Sequence, residues 1–383
     1  MNLDELTDEQ VTAFDRIASR VVNRRFEDDR RLVLRAPGGT GKSHVLRKLS
    51  HYLNENGITH VVTAFTGRAC SQIAKEGIAN TKTMHSLFLK PVLDENGDLV
   101  RWEEKELHEV KDEVGNAILV DEASMMPYDM YHQMLSVPDI SIILVGDSAQ
   151  LPSIEPDETK GFDAMRLPVA ETLTLTRNFR QEAGSGIMDL CEHLRESPTI
   201  PRRKKHDVKM IPKSKVMTLP YHKATQHDVV LCGLNKTRRK LNDLIRTARG
   251  FEGDLPRPGE TILCKRNDVV NGIRINNGEL FRVDTVFYGE ETSKFMLSSV
   301  DRDQKIPVVV LNESWETEKA KRRYKGKPIQ LFTFGYAITV HAAQGSQFDD
   351  ILFVDEDVSF FLDQQRWRYT AVSRAARMLT IAL

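Results

Sequence analysis

Ala36-Pro37-Gly38-Gly39-Thr40-Gly41-Lys42-Ser43 follows the apolar run Leu32-Val33-Leu34 and leads into a stretch carrying Val45, Leu46 and Leu49 at helical spacing. A strand feeding a glycine-rich turn that opens a helix is the context a phosphate-binding loop requires. Glycines let the backbone curl so that successive N–H groups point inward, and the helix N-terminus adds its positive dipole end. Pro37, Gly38, Gly39, Thr40 and Gly41 form that turn. Lys42 reaches the β- and γ-phosphates as a point charge, and the Ser43 hydroxyl is a ligand for Mg2+. The usual first glycine is Ala36 here, so the pattern is [AG]xxxxGK[ST]. The competing reading, a plain glycine-rich surface turn, does not account for the strand before it and the helix after it. The loop predicts a nucleoside triphosphate site.

The rest of the strand–helix alternation extends outward from that loop. Ile58 to Ala64 reads as a buried strand, and Asn116 to Val120 as another that ends in Asp121-Glu122-Ala123-Ser124. In a phosphate-loop protein, acidic residues at a strand end supply the second half of the metal site. Asp121 suits the Mg2+ shell, and Glu122 suits taking a proton from the attacking water. Ile140 to Val145 is the next core strand, followed by Gly146-Asp147-Ser148-Ala149-Gln150 at the edge where open α/β sheets bind ligands. Gln150 is placed to sense the γ-phosphate or its water. Upstream, Thr7-Asp8-Glu9-Gln10 begins a helix with the apolar face Val11, Phe14, Ile17, Ala18 and Val21. Thr7 and Gln10 have the spacing of a capping box, which by itself accounts for Gln10.

Other segments have a different texture. Val92 to Trp102 carries Asn96-Gly97 between apolar flanks, a strong hairpin signal. Pro198 to Pro220 is basic and proline-containing and reads as an irregular stretch at a domain boundary. Asp228 to Cys232 reads as a core strand, and Lys236 to Arg249 as a basic helix. Leu255 to Gln330 is dense in short strands and turns, suggesting a small antiparallel barrel inserted in a second α/β unit. Tyr336 to Gln344 reads as a helix, Ile351 to Val354 as a strand, Gln364 to Ala376 as a helix and Met378 to Leu383 as a final strand.

Composition bounds the rest. The chain of 383 residues has room for two or three domains, and with 40% hydrophobic and 28% charged residues it can bury an ordinary globular core. No apolar run approaches the ~20 residues of a membrane span. The acidic start of the chain lacks a secretory core, so a cytoplasmic location is expected. Cys70, Cys191, Cys232 and Cys264 are scattered and read as reduced. A formal net charge of −1 leaves nucleic-acid binding open, because a strand-gripping groove needs only local positive charge. The basic clusters Arg202 to Lys205 and Lys319 to Lys327 read first as solvated surface.

In this order the motifs resemble superfamily 1 DNA helicases, within them the RecD-like and phage Dda-like (SF1B) group. APGGTGKS is similar to motif I, VVTAFTGRA to Ia, TMHSL to Ib, LVDEAS to II and GDSAQLPS to III. NFRQ is similar to motif IV, TVHAAQGSQFDDILFVD to V and YTAVSRAA to VI. The resemblance spans Gln10 to Arg377 and implies two RecA-like parallel-sheet domains with ATP and Mg2+ between them. Residues 1–84 and 108–182 would form the first, 183–258 and 331–383 the second. Residues 85–107 would be a hairpin that splits the duplex, and 259–330 an SH3-like barrel insertion. Gln10 then matches the adenine-reading glutamine of the family, and Arg180 and Arg374 the arginines reaching the γ-phosphate. Gly345 and Gln347 match positions near the γ-phosphate and sugar. Phe65, Thr66, His85, Thr339 and His341 match the lining of the single-strand groove. Phe65 stands where many relatives have proline, and Gln347 where many have glutamate.

The implied activity is ATP-driven translocation on single-stranded DNA, 5′ to 3′, coupled to duplex unwinding. The implied partners are single-stranded DNA, tailed duplexes and replication or recombination proteins such as a single-strand-binding protein. A monomer in a bacterial or phage-infected cell is expected. Two rivals stand beside it. One is a translocase that displaces bound proteins with little unwinding. The other is a small-molecule phosphotransferase, which leaves a second α/β unit without a role.

Overall fold

In a computed structural model the described residues are 6–23, 29–78, 80–156, 159–177, 184–202, 205–316, 323–325, 327–360 and 362–383. They divide into two compact units. One comprises Met1–Phe65, Ala69–Lys90 and Glu103–Glu182, the other Thr66–Arg68, Pro91–Trp102 and Ala183–Leu383.

The first unit is built on a six-stranded parallel sheet. Its order is Thr81–Thr83, His60–Ala64, Ala117–Val120, Ser141–Gly146, Arg31–Arg35 and Glu171–Thr174. The central strands are buried on both sides, which is why they read as continuous apolar runs. Their alternate residues feed two separate cores. Leu32, Leu34, Val62, Leu119, Ile143 and Val145 pack with the helices Asp8–Asn23 and Lys42–Glu55. Val33, Val61, Ile118, Val120, Ile142 and Leu144 pack with Leu87, Phe88, Val110, Tyr131 and Met134 on the opposite face. The period of two along each strand thus assigns each residue to a core.

The second unit holds a five-stranded parallel sheet. Its order is Ala337–Thr339, Val229–Cys232, Phe348–Val354, Ala375–Ala382 and Val208–Ile211. Two expectations change here. The segment expected to be an irregular linker contains the edge strand Val208–Ile211, followed by the short helices Lys213–Val216 and Leu219–Ala224. Its charge density concealed a strand of only four residues. The helix expected over Tyr336 to Gln344 is instead the strand Ala337–Thr339 and one 3-10 turn, His341–Ala343. Pairing with Val229–Cys232 overrides the local pattern, and Ile338, Thr339 and Val340 are β-branched residues suited to it.

The region expected to be a barrel forms a five-stranded antiparallel sheet in the order Lys305–Leu311, Thr292–Ser299, Leu280–Phe287, Thr261–Cys264 and Phe332–Phe334. Gln330 lies against its outer strand. The Gln330 N–H donates to the Val309 carbonyl at 2.8 Å, and its Oε1 accepts from the Val309 N–H at 2.8 Å. The hairpin read from Asn96-Gly97 is present as Leu89–Leu93 and Leu99–Glu104, with Gly97 at φ 78°. Its tip, within the second unit, docks on the antiparallel insertion. Asp94 pairs with Arg323 at 2.9 Å, the Gly272 N–H donates to the Gly97 carbonyl at 3.0 Å, and Arg274 covers the Trp102 ring at 4.9 Å. Among the described residues no helix is long and apolar enough to cross a membrane.

Candidate nucleotide site and strand-binding edge

The phosphate loop joins the strand Arg31–Arg35 to the helix Lys42–Glu55. Gly39 and Gly41 sit at φ 86° and 79°, a backbone region that costs a residue with a Cβ about 1–2 kcal/mol. Ala36 is fully buried and has no such φ, so a methyl group is tolerated where the usual pattern has glycine. The turn is closed from Thr40 to Pro37, with the N–H at 3.3 Å and the hydroxyl at 2.9 Å from the Pro37 carbonyl. At the helix start, Gly41 provides no side-chain cap. The N-terminus of this 14-residue helix presents N–H groups and a positive dipole end that an anion's oxygens fit.

The C-terminal ends of the neighbouring strands supply the rest. Asp121 and Glu122 follow Ala117–Val120, and Gln150 follows Ser141–Gly146 by one turn; all three are buried. Lys42 Nζ lies 2.9 Å from Glu122 Oε1, with both side chains largely out of solvent. Burial alone would lower the Lys42 pKa, but the charges of Glu122, Asp121 and Asp147 hold it above its usual value. Burial pushes the Asp121 carboxyl up to about 6; Lys42 opposes that shift and Glu122 adds to it. Glu122 occupies a left-handed conformation at φ 52°, unusual for glutamate and of a kind concentrated at functional sites. Gly146 is hemmed in here, since a Cβ would stand 3.1 Å from the Ala123 N. Among the described residues no group of three or more His, Cys, Asp or Glu side chains could hold a metal alone. The pair Ser43 and Asp121 suits Mg2+, which takes few protein ligands and relies on phosphate oxygens and water.

Asp147 was missed in the sequence. It is 1% exposed, its Oδ1 accepts the Ala149 N–H at 3.1 Å, and its carbonyl accepts the Gln150 N–H at 3.0 Å. It shapes the turn that carries Gln150 and places a third carboxylate in the field of Lys42. An Asp just after a strand, followed by Ser148, is an Asx-turn signal that could have identified it.

Gln10 has two partners. Its Oε1 accepts the Thr7 N–H at 3.0 Å, as the capping spacing predicts, and its Nε2 donates to the Thr40 carbonyl at 3.0 Å. The side chain thus ties the first helix to the phosphate loop. Gln10→Glu keeps an acceptor for Thr7 and loses the donor. A buried carboxylate then faces the Thr40 carbonyl, so the variant should raise the KM for ATP and lower the melting temperature at neutral pH; nucleotide kinetics and thermal melts check this.

Phe65 and His85 lie beyond the C-terminal ends of the adjacent strands His60–Ala64 and Thr81–Thr83, on the same sheet edge as the phosphate loop. Phe65 also packs partly into the apolar core on one sheet face. Thr66 groups with the second unit. In that unit Thr339 ends its strand and His341 begins the following turn. Burial pushes the His341 imidazole down to about 4, so it is neutral at physiological pH. Gly345, at φ 71°, and Gln347 precede the strand Phe348–Val354. Arg374 is buried beside this segment, donating to the Ser346 carbonyl at 3.3 Å and the Ser373 hydroxyl at 3.2 Å. Motif V and motif VI therefore meet within the second unit. Arg180 lies outside the described residues.

Against known families, the model described as AAA domain matches residues 5–208, more than half of the chain, and the UvrD-like helicase C-terminal domain matches 334–382. The chain belongs to the AAA-domain family, and its match to a UvrD-like helicase C-terminal domain supports the resemblance to RecD-like, SF1B superfamily 1 helicases. An ATP-dependent RecD2 DNA helicase of Deinococcus radiodurans is 25% identical over 390 residues, covering 97% of this chain and 48% of the relative. The chain thus spans about half the length of that curated relative. A Pif1 helicase from Bacteroides, solved with ADP-AlF3 and single-stranded DNA, is 18% identical at TM-score 0.62, covering 98% of this chain and 92% of that one. A Pif1 helicase from Candida albicans is 16% identical at TM-score 0.57, covering 100% and 95%. At such identities the two structures establish that this chain shares their α/β fold with parallel sheets.

Proposed function

We propose that the chain is an ATP-driven DNA helicase that translocates 5′ to 3′ on single-stranded DNA and separates duplexes. The observation that carries this reading is the buried Lys42–Glu122 pair at the mouth of the phosphate loop, with Asp121 and Gln150 on the same sheet edge. When bound, ATP with Mg2+ supplies a γ-phosphoryl group open to in-line attack by water. Lys42 leaves Glu122 and turns its charge to the phosphates, while Gly39, Gly41 and the helix start donate N–H groups to them. Ser43 and Asp121 would hold the metal. Glu122, released from Lys42, accepts the proton of the attacking water, and Gln150 orients that water. Arg374 and Arg180 supply the remaining positive charge, as an arginine finger does.

Phe65 and His85 of the first unit and Thr66, Thr339 and His341 of the second contact the strand, through phosphate hydrogen bonds and aromatic stacking. Residues 85–107 act as the separating pin, and 259–330 are an SH3-like insertion. Residues 1–84 with 108–182, and 183–258 with 331–383, are the two RecA-like motor domains. The pin's docking on the insertion through Asp94, Gly97 and Trp102 supports unwinding over bare translocation, because a wedge must be braced to split base pairs. Duplexes with a 5′ or a 3′ single-stranded tail test the reading. The 5′-tailed substrate should be unwound and the 3′-tailed one left intact; preference for the 3′ tail overturns the polarity, and ATPase indifferent to single-stranded DNA overturns the function.

A further inference from the structure

The helix Asn235–Ala248 presents Arg238, Asn242 and Arg246, spaced by four, along one buried line. All three are at most 5% exposed, an unusual polar content for one side of a helix. Each grips a different part of the chain where it enters or leaves the antiparallel insertion. Arg246 makes a two-pronged pair with the fully buried Glu260, at 2.8 and 3.1 Å, just before the strand Thr261–Cys264. It also donates to the Gly253 and Leu255 carbonyls and lies 3.9 Å over the Phe334 ring. Arg238 pairs with Glu316 at 2.9 Å and donates to the Thr333 hydroxyl. Glu316 in turn accepts the Phe334 N–H at 2.8 Å on the outgoing strand.

Asn242 sits between the two arginines. Its Oδ1 accepts the Ala337 N–H at 2.8 Å, and its Nδ2 donates to the Ala337 carbonyl at 3.0 Å and the Phe334 carbonyl at 3.4 Å. Ala337 opens an edge strand that pairs on one side only, with Val229–Cys232. The asparagine amide therefore takes the place of a neighbouring strand on the open side, satisfying backbone groups that burial would otherwise orphan. Two residues further on, that strand delivers Thr339, followed by His341.

We infer that Arg238, Asn242 and Arg246 are positioning residues that tie the insertion to the strand Ala337–Thr339, so that Thr339 and His341 move with the insertion as one body. A buried ion pair is a poor source of net stability, and apolar residues of equal volume would pack as well. Directional bonds on both the incoming and the outgoing chain fix a single geometry, which apolar packing does not. The inference rests on the strand-binding role proposed for Thr339 and His341.

Asn242→Leu and the gentler Glu316→Gln, at a partly exposed carboxylate, test it in the full chain. Each should weaken binding of an oligo-dT strand by about tenfold, the scale of one buried hydrogen bond, and lower base pairs unwound per ATP. ATPase without DNA and nucleotide affinity should stay unchanged. Hydrogen exchange should quicken at Ala337 to His341 while the central strand Phe348–Val354 stays protected. If Asn242→Leu does not fold, Glu316→Gln decides. Unchanged DNA affinity and coupling overturn the inference, as does a proportional loss of DNA-free ATPase, the mark of mere structural support. The exchange readout needs no DNA, so it judges the tie separately. A wild-type chain whose ATPase ignores DNA refutes the helicase reading, and faster exchange confined to Ala337 to His341 would still sustain the tie.

Discussion

Replacing Lys42 with alanine should reduce ATP turnover by about 10²–10³-fold or more, the cost of removing one preorganised charge from the reacting group. Two losses combine. The γ-phosphoryl loses a cation, and the mouth of the loop loses the ammonium that pairs with Glu122 at 2.9 Å. Asp121, Glu122 and Asp147 are all buried, so without Lys42 they repel an incoming polyphosphate. The KM for ATP should therefore rise as kcat falls. The pH dependence of stability gives an independent check. Burial already raises the Asp121 carboxyl from 3.8 to about 6, and removing Lys42 raises it further. A carboxyl with a raised folded-state pKa favours folding while protonated, and that contribution is lost as pH rises through the folded value. Lys42→Ala should thus lose melting temperature relative to wild type on going from acid to neutral pH. Steady-state ATPase and thermal melts across pH measure both; retained turnover would remove the phosphate-loop assignment.

Which parts of this were legible beforehand follows from the range of the interactions. The phosphate loop, the two-sided apolar strands and the Asn96-Gly97 hairpin are local signals, and the structure carries each where the sequence indicates. The cap bond of Gln10 to Thr7, three residues away, was legible; its bond to the Thr40 carbonyl, thirty residues away, was not. Ala337–Thr339 was illegible because its pairing with Val229–Cys232 and its brace from Asn242 lie about a hundred residues away in sequence. The edge strand Val208–Ile211 was hidden by surrounding lysines and by its length of four residues. Asp147 was passed over because its meaning depends on the field of Lys42, which only the folded chain brings near.

Glu122→Gln should have a comparable effect on turnover and the opposite effect on binding. As the proton acceptor, Glu122 is expected to contribute about 10²–10⁴-fold to hydrolysis, and glutamine cannot take the proton. The amide is nearly isosteric, so the left-handed backbone at φ 52° and the packing around it need not change. The ion pair, however, is lost. In wild type Lys42 must give up a 2.9 Å contact with a buried carboxylate before it can reach phosphate oxygens. With a neutral partner that competition weakens, and the repulsion between Glu122 and Asp121 disappears as well. Glu122→Gln should therefore bind ATP more tightly than wild type while hydrolysing it slowly. Lys42→Ala should instead both bind and hydrolyse poorly. Equilibrium titration with a slowly hydrolysed ATP analogue, beside single-turnover hydrolysis, separates the two. Weaker binding by Glu122→Gln would mean that Glu122 holds Lys42 in its working position rather than competing with the nucleotide for it.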